Sequence, residues 1–344
     1  MPHRRTTFSK FIIEDSRRTR THDTELTALL NDVQTACKFI ASAISRGALN
    51  SAPAVATAVN YIMLRECEWG GQVCGMASAQ MELPYAIPEA YPRGRHLLVF
   101  APLDGSSNLD VDVTVGTIFS VLRAPDGVSE PLAEHFYQAG TQQVAAGFAL
   151  YGPASMIVIT LGEGVHGFTL DREIGAYTLT HPNMRVPEDT REFAINASNE
   201  RFWEPPVRHY IDECVAGRTG ARGDDFNMRW VASLVAEVYR ILVRGGLFMY
   251  PRDTKEPLKQ GHLRLLYEAN PMAMIVEQAG GAASTGRERI LEVEPASLDQ
   301  RVPVILGSRR EVERLRSYHE AYDRGEPLAF ETPLFNTRSL FRTV

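Results

Sequence analysis

The segment Leu103-Asp104-Gly105-Ser106-Ser107-Asn108 places together side chains that can handle a phosphate. It follows Leu97 to Phe100, an apolar run that reads as a short buried strand. Asp104 offers a hard oxygen ligand at the end of that strand. Gly105 lets the backbone come close to a ligand, and the Ser106 and Ser107 hydroxyls with neighbouring N–H groups can cradle phosphate oxygens. The same residues also suit a plain Asp-Gly turn whose serines bond their own backbone, so the wider sequence has to decide.

The wider sequence does so. Ala101-Pro102-Leu103-Asp104-Gly105-Ser106-Ser107-Asn108, followed by Val115-Gly116-Thr117-Ile118-Phe119-Ser120, closely resembles the signature of the class I fructose-1,6-bisphosphatases. Val144-Ala145-Ala146-Gly147, Ala149-Leu150-Tyr151-Gly152, Gly246-Leu247-Phe248-Met249-Tyr250-Pro251, the run from Leu263 to Met272, and Pro303-Val304-Ile305-Leu306-Gly307-Ser308 extend the match over almost the whole chain. Inositol monophosphatases share only a shorter D-P-x-D-G-S/T core. The resemblance implies a mixed α/β (α+β) chain with the five-layered α-β-α-β-α sugar phosphatase fold, assembled as a homotetramer. It also implies magnesium-dependent hydrolysis of the 1-phosphate of fructose 1,6-bisphosphate to fructose 6-phosphate, in gluconeogenesis or the Calvin cycle.

By that resemblance Asp104, Gly105, Ser106 and Ser107 face the 1-phosphate and Arg264 helps to neutralise it. Asn199, in Ala197-Ser198-Asn199-Glu200, and Tyr250 match ligands of the 6-phosphate, and Arg229 matches the arginine that the family donates across a subunit interface. His262 stands where a lysine or arginine is usual, so its charge depends on pH. Phe202 and Trp230 stand where tyrosines are common, which removes phenol donors.

The metal-binding half departs from the pattern. Where the family has Ser-Glu-Glu, this chain reads Ser78-Ala79-Gln80, and Ala101 takes the place of the aspartate before Pro-Leu-Asp-Gly. The glycine-rich loop and its acid are replaced by a shortened segment, Asn50 to Tyr61, without a carboxylate. Of the expected metal ligands Asp104, Glu268 and the Leu103 carbonyl remain. Two carboxylates suit one Mg²⁺ or Mn²⁺ at reduced occupancy rather than a cluster. Glu66, Glu68, Glu82, Asp110 and Asp112 are the nearby acids that a rebuilt site would have to recruit. The alternative is a catalytically degenerate sugar-phosphate-binding or regulatory paralogue that keeps the fold and co-assembles with an active copy through shared surfaces.

Elements that position these residues are legible in the periodicity. Asp23 or Thr24 caps a helix with apolar positions Leu26, Leu29, Leu30, Val33, Cys37, Ile40, Ala41 and Ile44. A second helix runs from about Pro53 to Glu68. Short strand-like runs between Val113 and Leu179 predict an antiparallel meander. The stretch His181 to Arg191 divides a first subdomain, residues 8–190, from a second, residues 191–335. In the second, Leu234 to Leu242 predicts a helix, Leu247–Tyr250 a strand, and Asn270 the cap of a helix with Pro271 in its first turn. Val304–Leu306 predicts a late strand, followed by a charged helix.

The chain has 344 residues, 44% hydrophobic and 23% charged, with a net charge of −6. That composition suits a folded globular protein and argues against nucleic acid as a partner. Arg4, Arg5, Arg17, Arg18 and Arg20 read as a solvated terminal segment. Four cysteines without zinc spacing and no long apolar span predict a cytoplasmic protein off the membrane. Asp23-Thr24-Glu25-Leu26-Thr27 replaces the Thr-Gly-Glu-x-Thr turn that binds AMP in animal members, so no AMP inhibition of that type is expected.

Overall fold

The computed structural model describes residues 6–19, 23–49, 51–128, 130–256 and 259–328. Arg4, Arg5, Arg20 and the last residues assigned to the second subdomain, 329–335, lie outside them. Three helices come first: α1 (Phe8–Thr19), α2 (Thr24–Ile44) and α3 (Ala52–Cys67). Asp23 is the cap of α2, its Oδ1 accepting the Leu26 N–H at 2.8 Å. Ser51 caps α3 in the same way from Ala54, with Pro53 in the first turn.

The first sheet holds β1 (Val73–Ser78), β2 (Tyr85–Ala86), β3 (His96–Asp104), β4 (Val115–Arg123), β5 (Ala145–Tyr151), β6 (Ser155–Thr160), β7 (Val165–Asp171) and β8 (Ala176–Met184). Its order is β2-β1-β3-β4-β5-β6-β7-β8. From β3 to β8 each strand pairs antiparallel with the next, the meander that the spacing of turns predicts. β8 continues to Met184, so the first residues of the expected linker, from His181, are strand.

The second sheet is smaller: β9 (Glu192–Ala194), β10 (Asn227–Met228), β11 (Leu247–Tyr250), β13 (Ala282–Ser284) and β15 (Val304–Gly307), in the order β10-β9-β11-β15-β13. β12 (Leu263–Arg264) and β14 (Arg301–Val302) form a separate ladder.

Side-chain alternation stacks these elements into layers. Leu98 and Phe100 of β3 pack with α1, α2 and α3, whereas Leu97, Val99 and Ala101 enter the core on the other face. That second core is shared with α5 (Leu234–Arg244), α6 (Asn270–Gln278) and the inner face of the second sheet, through Phe248, Val304 and Leu306. The outer face, Leu247, Met249 and Ile305, is covered by α4 (Pro205–Ala216) and α7 (Arg309–Asp323). The result is helix, sheet, helix, sheet, helix.

One expectation for α6 needs correction. Asn270 does not cap the helix. A π-helical turn, Leu265–Ala269, runs directly into it, and Asn270 already has helical angles with its N–H bonded to the Leu265 carbonyl. A cap needs an extended backbone, which the upstream turn denies. Asn270 to Val276 are all buried, as a helix between two sheets requires.

Candidate functional site

The site begins at a break in the β3–β4 ladder. Ala101 pairs with Ile118, but the next pair is Asp104 with Gly116, so β3 carries one extra residue. Pro102 lies in this bulge, where it has no N–H to give. Its carbonyl accepts the Thr117 hydroxyl at 2.8 Å. The bulge delivers Asp104 to the middle layer, against α5. A Cβ at Gly116 would lie 2.5 Å from Val235, so its absence lets α5 pack this closely.

Asp104 is buried, and its Oδ2 accepts the Ser233 hydroxyl at 2.8 Å and the Val235 N–H at 3.1 Å. Gly105 turns the chain in the left-handed region at φ +70, where a Cβ would stand 2.9 Å from that of Ser233. Ser106 and Ser107 follow, exposed, at the start of a short 3-10 helix, Ser106–Val111. Asn108 closes the loop: its Nδ2 donates to the carbonyls of Thr114 at 3.2 Å and Val231 at 3.0 Å. Ser233 and Asn108 went unassigned by sequence reasoning. Ser233 is readable as a helix cap, but its bond to Asp104 joins residues far apart in the chain.

Glu268, on the π-helical turn, is the second acid. Its Oε2 accepts the Arg264 N–H at 2.6 Å. Burial pushes its pKa up to about 7, the neighbouring Asp104 charge adding to the rise while the Arg264 N–H opposes it. Burial likewise raises Asp104 to about 6 against the donors Val235 and Ser233. The two carboxyls thus share one poorly solvated site and disfavour each other's ionisation. The Arg264 guanidinium pairs with Asp299. Leu103 is half-buried at the bulge.

The positions where the family resemblance expects further acids are filled otherwise. Ala101 is buried in the middle core and Ala79 packs against it. Gln80 is exposed, and Ser78 is held by Asn60 at 2.6 Å. None of the nearby acids is brought in as a third ligand. Glu68 is buried and bonded to Arg65 and Tyr85, and Glu66 lies near Asp32 of α2, whose pKa burial raises to about 6 with the Glu66 charge adding to the rise. Asp110 and Asp112 line a cavity of about 860 Å³ on the α2–α3 side of the sheet, and Glu82 is exposed. Among the described residues no three His, Cys, Asp or Glu side chains are grouped to hold a metal. The donor set does not fit a multi-ion cluster.

The sugar-binding candidates gather on the second sheet. Tyr250 ends β11 with its ring 4.5 Å from that of His262, and His262 Nε2 lies 2.8 Å from Asp253 Oδ2. Trp230 stacks on Phe248 at 6.0 Å and on Tyr250 at 6.1 Å. Asn199 sits in a short helix, Ala197–Phe202, tied to this region by the bond from the Thr254 N–H to the Phe202 carbonyl. Arg229 is set apart: it is exposed, with Nε 3.7 Å from Glu192.

Residues 6–182 match the family Fructose-1-6-bisphosphatase, N-terminal domain, and residues 186–320 match Fructose-1-6-bisphosphatase, C-terminal domain. A relative from Methylacidiphilum infernorum, "Fructose-1,6-bisphosphatase class 1", is 59% identical over 356 residues, covering 99% of each chain. One of the same name from Hydrogenophilus thermoluteolus is 56% identical, covering 98% of this chain and 97% of that one. Among solved structures, Leishmania major fructose-1,6-bisphosphatase in holo form superposes with a TM-score of 0.84 at 35% identity, covering 91% of this chain and 99% of that one. Its T-state form gives the same TM-score at 36% identity, covering 92% and 99%.

Proposed function

Because the chain belongs to the class 1 fructose-1,6-bisphosphatase family, we propose that it binds fructose 1,6-bisphosphate and hydrolyses the 1-phosphate at a much reduced rate. The 1-phosphate sits over Gly105, Ser106 and Ser107, beside Asp104, Glu268 and Arg264. The 6-phosphate sits among Asn199, Tyr250 and His262, with Arg229 supplied from a second copy in a homotetramer. One observation carries this reading: Asp104, the left-handed Gly105 and the exposed serines are fixed at a strand end whose carboxylate neighbours Glu268.

The same observation limits the chemistry. Two carboxylates can hold one Mg²⁺ or Mn²⁺ with water and phosphate oxygens completing the shell. Such an ion would polarise the phosphoryl group. The chain's own residues bind and orient the substrate.

A second reading follows from Ala101, Ala79 and Gln80: a sugar-phosphate-binding or regulatory paralogue, co-assembled with an active copy. Either form acts in the cytoplasm, in gluconeogenesis or the Calvin cycle. No described helix is long and apolar enough to cross a membrane.

The test is thermal melting with fructose 1,6-bisphosphate, fructose 6-phosphate and an inositol monophosphate. A ligand that binds only the folded state raises the melting temperature. The bisphosphate is expected to give the largest rise. A rise with the inositol phosphate alone would refute the reading.

A further inference from the structure

The segment from Arg229 to Ser233 is fastened along its length. The Arg229 N–H donates to the Phe193 carbonyl at 2.8 Å. The Val231 N–H donates to Glu237 Oε1 at 2.8 Å, and the Val231 carbonyl accepts Asn108 Nδ2 at 3.0 Å. Ser233 donates to Asp104. Between these fixed points Ala232 has φ +58, a left-handed conformation that a residue with a Cβ keeps only when its surroundings over-determine it.

Glu237 is fully buried on α5. Its Oε2 accepts Arg240 Nε at 3.1 Å and Nη2 at 2.9 Å. Arg240 Nη1 reaches Glu192 Oε2 at 2.8 Å, and Glu192 Oε1 lies 3.7 Å from Arg229 Nε. A circuit therefore runs from Arg229 through Glu192, Arg240 and Glu237 to Val231, and from there through Asn108 to the phosphate loop. Capping of α5 does not explain Glu237, because Ser233 already serves as the cap. A carboxylate buried this deeply is retained only where partners satisfy it. Its partners here are the strap's own N–H and the arginine that leads back to Arg229.

We propose that Glu237 is a positioning residue, which holds the Arg229–Ser233 strap against the Asp104–Asn108 loop and so sets where Arg229 is presented to the 6-phosphate end of a neighbouring copy. A ligand with two phosphates engages both the loop and the donated arginine, whereas inorganic phosphate at the loop does not need Arg229. The inference rests on the ligand reading given above.

Calorimetric titration of the full chain with fructose 1,6-bisphosphate and, separately, with inorganic phosphate tests it. Glu237→Ala is expected to weaken bisphosphate binding about tenfold while inorganic phosphate changes by less than about twofold. Glu237→Gln should recover only part of the loss, since its amide oxygen accepts the Val231 N–H but its NH2 cannot accept from Arg240. A folded Glu237→Ala that binds the bisphosphate like wild type would overturn the proposal, and so would an equal loss for both ligands. Should Glu237→Ala fail to fold, Arg240→Gln, at the partly exposed next link, is expected to weaken the bisphosphate selectively, and an unchanged affinity would overturn the proposal. Wild type that does not bind the bisphosphate would overturn the ligand reading with it.

Discussion

Ser233 and Asp104 are joined by a hydrogen bond of 2.8 Å between residues 129 positions apart, and that bond ties the Asp104–Asn108 loop to the helix that begins at Ser233. The hydroxyl both caps α5 and supports a buried carboxylate. Ser233→Ala therefore removes a cap and a donor to an ionisable group. Because the donor matters most when Asp104 is charged, the cost should be larger at about pH 8 than at about pH 5. At the higher pH it should reach on the order of 2–3 kcal/mol. Chemical denaturation at the two pH values measures it, and an equal cost at both would contradict the role given to the bond.

The raised carboxyls predict a pH dependence with a definite sign. Asp104 at about 6 and Glu268 at about 7 hold protons that the unfolded chain, with ordinary carboxylates near about 4, has released. Their contribution to stability is complete below about pH 4 and is lost as the pH rises through about 7. Glu268→Gln removes part of this penalty and can still accept the Arg264 N–H. Without divalent cations it should melt above wild type at about pH 8 and with it at about pH 4. Melting curves across that range are the check, and a lower melting temperature at high pH would oppose it.

Gly105 is required twice, for its φ of +70 and for the 2.9 Å approach that a Cβ would make to Ser233. Gly105→Ala should cost on the order of 1–2 kcal/mol from the backbone alone. It should also displace the two serines, so phosphate binding falls more than stability does. Titration with inorganic phosphate beside an unfolding curve separates the two effects.

Much of this was legible in the sequence. The Asp23 cap, the meander and the apolar strand before Asp104 follow from local chemistry and period. That Ala79, Gln80 and Ala101 carry no carboxylate is likewise visible as residue types. Asn270 misled, because Asn-Pro before an apolar run has the form of a cap and nothing local announces a π-helical turn. Ser233 signals only a helix cap, and Asn108 and Glu237 carry no sign of their roles, since their partners at Asp104, Val231 and Arg240 are set by the packing of α5 and the segment before it. The all-round burial of α6 matches its unbroken apolar run, Pro271 to Val276.

The metal-binding half can be probed by restoration. Ala101 is buried beside Ile118, so Ala101→Asp alone introduces a carboxylate without partners and should destabilise by on the order of 3 kcal/mol. Combined with Ala79→Glu and Gln80→Glu, it should give a chain whose melting temperature rises steeply with Mg²⁺, since each acid is then compensated by the ion. Melting with and without Mg²⁺ reads this directly, and no difference from wild type would mean that these positions do not face the phosphate site.

The most direct measurement is phosphate release from fructose 1,6-bisphosphate by purified protein free of host phosphatase, with Mg²⁺ and then Mn²⁺ titrated. A class 1 enzyme carrying the full carboxylate set serves as the reference. On the proposal that Asp104 and Glu268 are the only acids at the metal site, turnover is expected to be slower by about 10³-fold or more, while the bisphosphate still raises the melting temperature. Turnover equal to the reference would mean that the metal site is rebuilt from other residues, and would contradict the reading of Ala79, Gln80 and Ala101.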